Sequence, residues 1–145
     1  MIVREFFENE LEKLLRLYTE LNDNPLPEVD DRIKRVWQKM MDDPDHHVIG
    51  VFDHEAAVSS CVLVIIPNLT HRQHPYAVIE NVVTTENERR KGYAAACLTY
   101  ARDIAVKAGC YKIMLMTGSK KEETMRFYEA NGYNRKDKTA FIQWL

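Results

Sequence analysis

Long apolar runs are missing from this sequence: no stretch of the 145 residues approaches the ~18 apolar residues that a membrane-spanning helix requires. An excess of one charge is missing too. Lys and Arg number 20 against 22 Asp and Glu, for a net charge of −2 and a pI near 6.2, so no basic surface calls for nucleic acid or an anionic membrane as partner. Cysteine is scarce. Cys61, Cys97 and Cys110 are odd in number and show no Cys-x-x-Cys spacing, which excludes a disulfide scaffold and the common zinc ribbons. Each lies in an apolar pattern, so buried free thiols in a reducing cytoplasm are expected. There is no internal repeat, linker or low-complexity segment, and the start Met1-Ile2-Val3-Arg4-Glu5 has no basic region followed by an apolar one, as a signal peptide would. What is present suits one domain, residues 1–145, large enough to bury a core without disulfides or metal.

The apolar periodicities give an order of elements. Ile2 to Glu5 reads as a short strand, and Phe7, Leu11, Leu14, Leu15, Tyr18 and Leu21 recur at helical spacing. Asn22-Asp23-Asn24-Pro25 breaks that helix, and Pro27 suits the first turn of a second one striped by Val29, Ile33, Val36, Trp37 and Met40, which stops by Asp43-Pro44. His47 to Phe52 and Ala57 to Ile66 form a hairpin through Asp53-His54-Glu55, with His46 and His47 expected at the surface. After the loop Pro67 to Pro75 come a strand, Tyr76 to Thr84, and a helix with Ala94, Cys97, Leu98, Ala101, Ala105 and Ala108 on one face, ended by Gly109. Tyr111 to Met116 reads as a buried strand. A helix follows with Ser119 and Glu122 as a capping box and Gly132 at its end, and Thr139 to Trp144 reads as a last strand.

One junction carries chemistry. The β-branched run Val78-Ile79-Glu80-Asn81-Val82-Val83-Thr84-Thr85 leads through Arg89-Arg90-Lys91-Gly92-Tyr93-Ala94 into the alanine-rich helix. The first N–H groups of a helix have no intrahelical partner, and the helix dipole favours an anion there. Arg89, Arg90 and Lys91 add positive charge, Gly92 allows close approach of backbone to ligand, and Ala94 keeps the first turn small. This is a pyrophosphate cradle for a nucleotide-like cofactor. Its spacing fits neither a Walker loop nor a Rossmann fingerprint.

The hexapeptide does match Arg/Gln-x-x-Gly-x-Gly/Ala, with Arg89, Gly92 and Ala94 on the defining positions, and so resembles the acetyl-CoA signature of the GNAT family of N-acetyltransferases. Arg126-Phe127-Tyr128-Glu129-Ala130-Asn131-Gly132-Tyr133 resembles the Phe-Tyr-x-x-x-Gly-Phe/Tyr element that closes the cofactor site in that family. The resemblance runs from about Glu80 to the last residues. It implies an α/β (α+β) fold, a mixed and mostly antiparallel sheet flanked by helices, often homodimeric. It implies acetyl-CoA as cosubstrate and no metal. It also implies that the backbone of Val82, Val83 and Thr84 pairs with pantetheine, that N–H groups from Arg90 through Lys91, Gly92, Tyr93 and Ala94 to Ala95 hold pyrophosphate, and that an N–H near Val82 or Val83 polarises the acetyl carbonyl.

The same resemblance suggests roles for side chains. An amine must lose a proton before it attacks a thioester, and Glu80 is the candidate base, in an apolar setting that desolvates it; the alternative is a solvent-facing strand residue. Asn81 stands where some relatives carry a carboxylate, on the substrate side. Tyr128 is the candidate acid for the departing thiolate, against the alternative of a core aromatic, with Phe127 in the core. Ser119 stands near the place where relatives contact pantetheine through Asn. In the loop before the fourth strand, His71, Arg72 and His74 are candidates to bind an acidic group of the substrate; the His pair lacks the further ligands of a metal site. The acceptor implied is a primary amine of a small molecule, an aminoalkylphosphonate, amino sugar or aminoglycoside. A protein N-terminal or lysine acetyltransferase and a non-catalytic acyl-CoA-binding module are the alternatives.

Overall fold

The computed structural model describes residues 1–21 and 24–145. Its strands are β1 (Ile2–Glu5), β2 (His46–Asp53), β3 (Ala56–Ile66), β4 (Tyr76–Thr84) and β5 (Ile113–Leu115). Its helices are α1 (Leu11–Tyr18), α2 (Asp31–Asp42), α3 (Tyr93–Lys107) and α4 (Glu122–Ala130). The sheet runs in the order β1-β2-β3-β4-β5, antiparallel through β4, with β4 and β5 parallel.

Strand alternation divides the core between the two faces of this sheet. Ile49, Val51, Cys61, Leu63, Ala77 and Ile79 point to one face and pack on Cys97, Leu98, Ala101 and Ala105 of α3. Val48, Phe52 and Val62 point to the other, where Phe6, Leu14 of α1 and Trp37 of α2 cover them. Gly50 is required on that second face, because a Cβ there would lie 2.5 Å from the Phe6 ring and 2.8 Å from that of Phe52.

Three elements and the burial of one histidine pair differ from the sequence expectation. Pro27 is not in the first turn of α2; the helix starts four residues later, where Asp30 Oδ1 accepts the Ile33 N–H at 2.9 Å and caps it. The expected break before it includes Asn22 and Asp23, which lie outside the described residues. β5 is three residues rather than six, since Tyr111 N–H is already bonded to Pro75 O and β4 offers a pairing edge only at Ala77, Val78 and Ile79. The expected last strand, Thr139 to Trp144, pairs with nothing among the described residues, and every residue from 136 to 145 is exposed. His46 and His47 are half-buried rather than at the surface, with His47 Nδ1 3.2 Å from Glu5 Oε1.

The N-terminal segment is fastened by a buried carboxylate. Glu10 accepts from Arg4 Nη1 at 2.7 Å, Arg4 Nη2 at 2.9 Å, the Phe7 N–H at 3.0 Å and Lys13 Nζ at 3.1 Å. The Arg4 guanidinium also lies over the Phe52 ring at 3.8 Å. The bond from Arg4 is the main reason the Glu10 carboxyl is held down to about 2, against the opposing effect of burial. A carboxyl lowered by folding adds stability above its ordinary value, and that stability is lost as pH falls through the folded one. Acid titration followed by circular dichroism is therefore expected to show loss of stability from about pH 4.5 toward pH 2. Glu10→Gln should flatten that limb and cost about 2–4 kcal/mol at neutral pH by chemical denaturation, because it leaves Arg4 half-buried without its partner.

Candidate active site

The sheet is interrupted where β3 meets β4. Ser60 pairs with Val83 and Val62 with Glu80, so Cys61 alone faces both Asn81 and Val82. Asn81 takes up the extra residue with a φ of 53°, in the left-handed region that Asn tolerates better than most residues. The bulge shifts the alternation by one. Ala77 and Ile79 face the α3 side before it, and Val82 faces that side after it. The parallel pairing with β5 stops at Ile79. Beyond that point β4 runs on to Thr84 with one edge free, and a cleft opens between the two strands.

The backbone groups at this edge can be assigned. Val83 O is turned toward β3, where the buried Ser59 hydroxyl donates to it at 2.9 Å. Successive residues of a strand present their backbone groups to opposite sides, so Val82 and Thr84 face the cleft and Val83 does not. Thr84 O already accepts Arg89 Nε at 3.2 Å. Of the three residues expected to offer backbone to a ligand, Val82 has the freest groups.

The end of β4 delivers the chain to the α3 N-terminus. Gly92 is the N-cap at φ 83°, with no side-chain cap and with open space where its Cβ would be. The first intrahelical bond is Ala96 N–H to Gly92 O, which leaves the N–H groups of Tyr93, Ala94 and Ala95 without helical partners. Arg90, at φ 65°, turns the loop just before them. The three cations are not free charges. Arg89 lies 3.8 Å from Glu20, Arg90 3.9 Å from Glu123, and Lys91 2.8 Å from Glu88. These pairs are solvent-exposed and worth at most about 1 kcal/mol each, so a phosphate group competes for the cations at little cost. The main-chain donors are the fixed part of the cradle.

Tyr128 on α4 is half-buried and packs on the α3-side core. It meets Phe127 at 5.1 Å and Tyr133 at 6.1 Å between ring centroids, both edge-to-face. Burial, with the Cys61 thiol adding to it, raises the Tyr128 phenol above its ordinary value and pushes Tyr133 up to about 12. Both therefore stay protonated at neutral pH, as a proton donor must. Both phenols belong to the same α3-side cluster as Cys61 and Val82. Phe127 has the core role expected of it. Gly132, at φ 89°, ends α4 in a Schellman motif: Tyr133 N–H bonds Tyr128 O at 3.1 Å and Gly132 N–H bonds Glu129 O at 3.0 Å.

Other expected residues are placed differently. Glu80 is exposed, so the desolvated setting expected of it is absent; its neighbours in β4 are the bulge and the free edge. Ser119 does not cap α4. The N-cap is Lys121, and Ser119 Oγ lies 2.9 Å from Thr124 Oγ1 while Glu122 pairs with Arg135 at 2.8 Å. His71, Arg72 and His74 are not brought to the cleft. They precede Tyr76, at the end of β4 about 26 Å of strand away from Thr84. There the His71 ring stacks on Tyr111 at 3.9 Å and His74 Nδ1 is bonded to Gly109 O at 3.0 Å. Two shallow surface hollows also lie away from the free edge, one lined by Asp45, Ile65, Pro67 and Gln73 and the other by His47, Tyr100 and Lys107. Among the described residues no group of three or more His, Cys, Asp or Glu is placed to hold a metal.

Two hydroxyls near the bulge have no counterpart in the sequence reading. Ser60 of β3 is buried with no hydrogen-bond partner among the described residues, and Tyr18 of α1 has a buried hydroxyl whose polar neighbour is Asn81. Burial pushes the Tyr18 phenol up to about 12, and Asn81 is the neighbour that works against it. At the sequence level Tyr18 is one apolar member of a helical stripe, with no signal that its oxygen meets β4.

Comparison with known proteins bears on this geometry. The model of the Acetyltransferase (GNAT) family matches residues 10–133. A solved putative acetyltransferase from Agrobacterium tumefaciens is 32% identical, with 99% of this chain and 100% of that one covered and a TM-score of 0.92. Glucosamine-6-phosphate N-acetyltransferase from Arabidopsis thaliana has the same fold at 18% identity, 99% and 97% coverage and a TM-score of 0.85. So does an aminoglycoside acetyltransferase from an uncultured soil metagenomic sample, solved with sisomicin, at 14% identity, 99% and 95% coverage and a TM-score of 0.83. A search of curated proteins finds no match. With its bulged fourth strand leading into an uncapped helix N-terminus, this chain belongs to the GNAT family of acetyltransferases.

Proposed function

We propose that the protein transfers an acetyl group from acetyl-CoA to the primary amine of a small molecule. The observation that carries this reading is the continuity of the free β4 edge, from Glu80 to Thr84, with the unpaired N–H groups of Tyr93, Ala94 and Ala95. An extended chain with amides at one end and a pyrophosphate at the other fits such a track, and the open space at Gly92 admits it. Acetyl-CoA would supply the activated thioester. Val82 would bind its amide-bearing arm, and the α3 N-terminus with Arg89, Arg90 and Lys91 its phosphates. Ser119, whose Oγ lies 2.9 Å from Thr124 Oγ1 before α4, would contact the same arm.

The remaining steps fall to side chains at the bulge. Glu80, being exposed, accepts the ammonium proton through water rather than from a dry pocket. Tyr128, kept protonated, donates to the departing sulfur. Asn81, exposed at the bulge with the Tyr18 phenol behind it, would present a polar amide on the α1 side of the cleft, which suits an acceptor carrying hydroxyls. That feature favours an amino sugar or aminoglycoside over an aminoalkylphosphonate, since the cations expected for an acidic group, Arg72 and the two histidines, stand at the other end of β4. The Arabidopsis and soil relatives, by their names, act on acceptors of this polyhydroxylated kind. The site is consistent with a cytoplasmic enzyme, where acetyl-CoA is made and used; no helix among the described residues is long and apolar enough to cross a membrane.

Release of CoA thiol, followed across amino sugars, aminoglycosides, aminoalkylphosphonates, polyamines and N-terminal peptides, is expected to give turnover with a hydroxyl-rich amine. Turnover with peptides alone would overturn the acceptor class, and acetyl-CoA binding with no turnover on any amine would favour a binding module. Tyr128→Phe should lower kcat by about 10²-fold with little change in KM for acetyl-CoA. The alkaline limb of the kcat profile should lie above pH 10.0 in the native protein, because the phenol is raised, and should vanish in that variant. Gly92→Ala, which must hold a left-handed φ, is expected to cost about 1–2 kcal/mol of stability and to raise KM for acetyl-CoA more than it changes kcat.

A further inference from the structure

The loop that carries the chain from β4 to α3 has no buried residue to fix it. All of residues 86–92 are exposed except Glu88, which is half-buried, and Arg90 and Gly92 hold left-handed conformations at φ 65° and 83°. Its internal bonds close short turns, Glu88 N–H to Thr85 O at 2.8 Å and Arg89 N–H to Glu86 O at 3.3 Å. A segment with so few buried contacts opens easily unless something outside holds it. Yet this loop sets the direction of the Tyr93, Ala94 and Ala95 N–H groups, so the cradle is only as well placed as the loop is.

The outside hold on its main chain comes from α1. Glu86 N–H donates to Glu20 Oε2 at 3.3 Å, across 66 residues of sequence. The same oxygen lies 3.8 Å from Arg89 Nη2, and Arg89 Nε is bonded in turn to Thr84 O at 3.2 Å. The pair of Arg90 with Glu123 joins two strongly exposed side chains and fixes little. Glu20 stands on firmer ground. Its N–H bonds Leu17 O at 3.1 Å just past the end of α1, whose Leu14 and Leu17 are buried, and its side chain is 29% exposed. The last turn of α1 also brings the Tyr18 phenol to Asn81, so it meets the free β4 edge at both ends. A carboxylate this close to an anion site repels phosphate, so anything it contributes to binding must come through the bonds it makes. We propose that Glu20 is a positioning residue for the cradle: by accepting the Glu86 N–H, it fixes the loop that directs the α3 N-terminus at a phosphate. The assignment rests on the acetyl-CoA reading of the site.

Glu20→Ala and Glu20→Gln separate the bond from the charge, because an amide oxygen still accepts an N–H when the carboxylate is gone. Isothermal titration of the whole chain with CoA is expected to give a Kd raised about five- to tenfold in Glu20→Ala. In Glu20→Gln the Kd should equal the native one or fall below it, since the repulsion is removed and Arg89 is released. Pantetheine, which has the amide arm and no phosphate, should bind all three proteins alike; general damage to the fold would weaken it too. In the free proteins, hydrogen exchange at the Glu86 amide, followed by NMR, should be about tenfold faster than native in Glu20→Ala and close to native in Glu20→Gln. Equal CoA affinity in the native protein and Glu20→Ala would overturn the proposal. So would Glu20→Gln binding CoA as weakly as Glu20→Ala, or Glu86 exchange that neither substitution changes. A native protein that binds no CoA would overturn the acetyl-CoA reading itself, and this assignment with it.

Discussion

The structure turns on one extra residue in β4. With Cys61 facing both Asn81 and Val82, the fourth strand changes the direction of its side chains in mid-course and parts from β5. Without that bulge the pairing from Ala77 to Ile79 would be free to continue, and the edge from Glu80 to Thr84 would be consumed by sheet hydrogen bonds. The bulge also decides what surrounds the opening. It brings Asn81 toward Tyr18, leaves Glu80 in solvent, and puts Val82 on the α3-side core beside Tyr128 and Tyr133. The left-handed φ of Asn81 is strain held by the β3 pairing on either side of it.

The cradle shows which part of an anion site is permanent. Arg89, Arg90 and Lys91 look like the source of attraction, but each has a carboxylate within 4 Å. Their pairs are exposed and weak, and they also hold the loop to Glu20, Glu88 and Glu123. The N–H groups at the start of α3 have no such competitor among the described residues, and a helix N-terminus of this kind favours an anion without reorganising. Ser59 serves the same end from below. By accepting no part in the cleft and fixing Val83 O and Thr84 Oγ1, it keeps the end of β4 in register with the helix that follows.

Three phenols approach the bulged part of the sheet from different elements. Tyr128 and Tyr133 on the α4 side and Tyr18 on the α1 side all lie close enough to Cys61 to feel it, although they come from elements far apart in the chain. Desolvation keeps all three neutral. The α4 phenol is held by a Schellman-capped helix end, and the α1 phenol has its buried oxygen near Asn81.

Much of this was legible in the residues. The strand-turn-helix junction from Val78 to Ala94 is a local device, written in β-branched residues, one glycine and a run of alanines, and the Gly132 cap is local in the same way. The core faces of β2, β3 and α3 followed from period alone, because burial imposes period. What the sequence could not decide were the matters of partnership. Thr139 to Trp144 has the pattern of a strand, but a strand exists only where another edge receives it, and none among the described residues does. His71, Arg72 and His74 are polar residues beside a site strand in sequence, yet the length of β4 carries them to its far end. Glu80 is exposed, and Tyr18 is buried against Asn81, for a reason that no spacing encodes: the bulge that arranges them is a contest between two registers, and it is settled only when β3 and β5 lie on either side of β4.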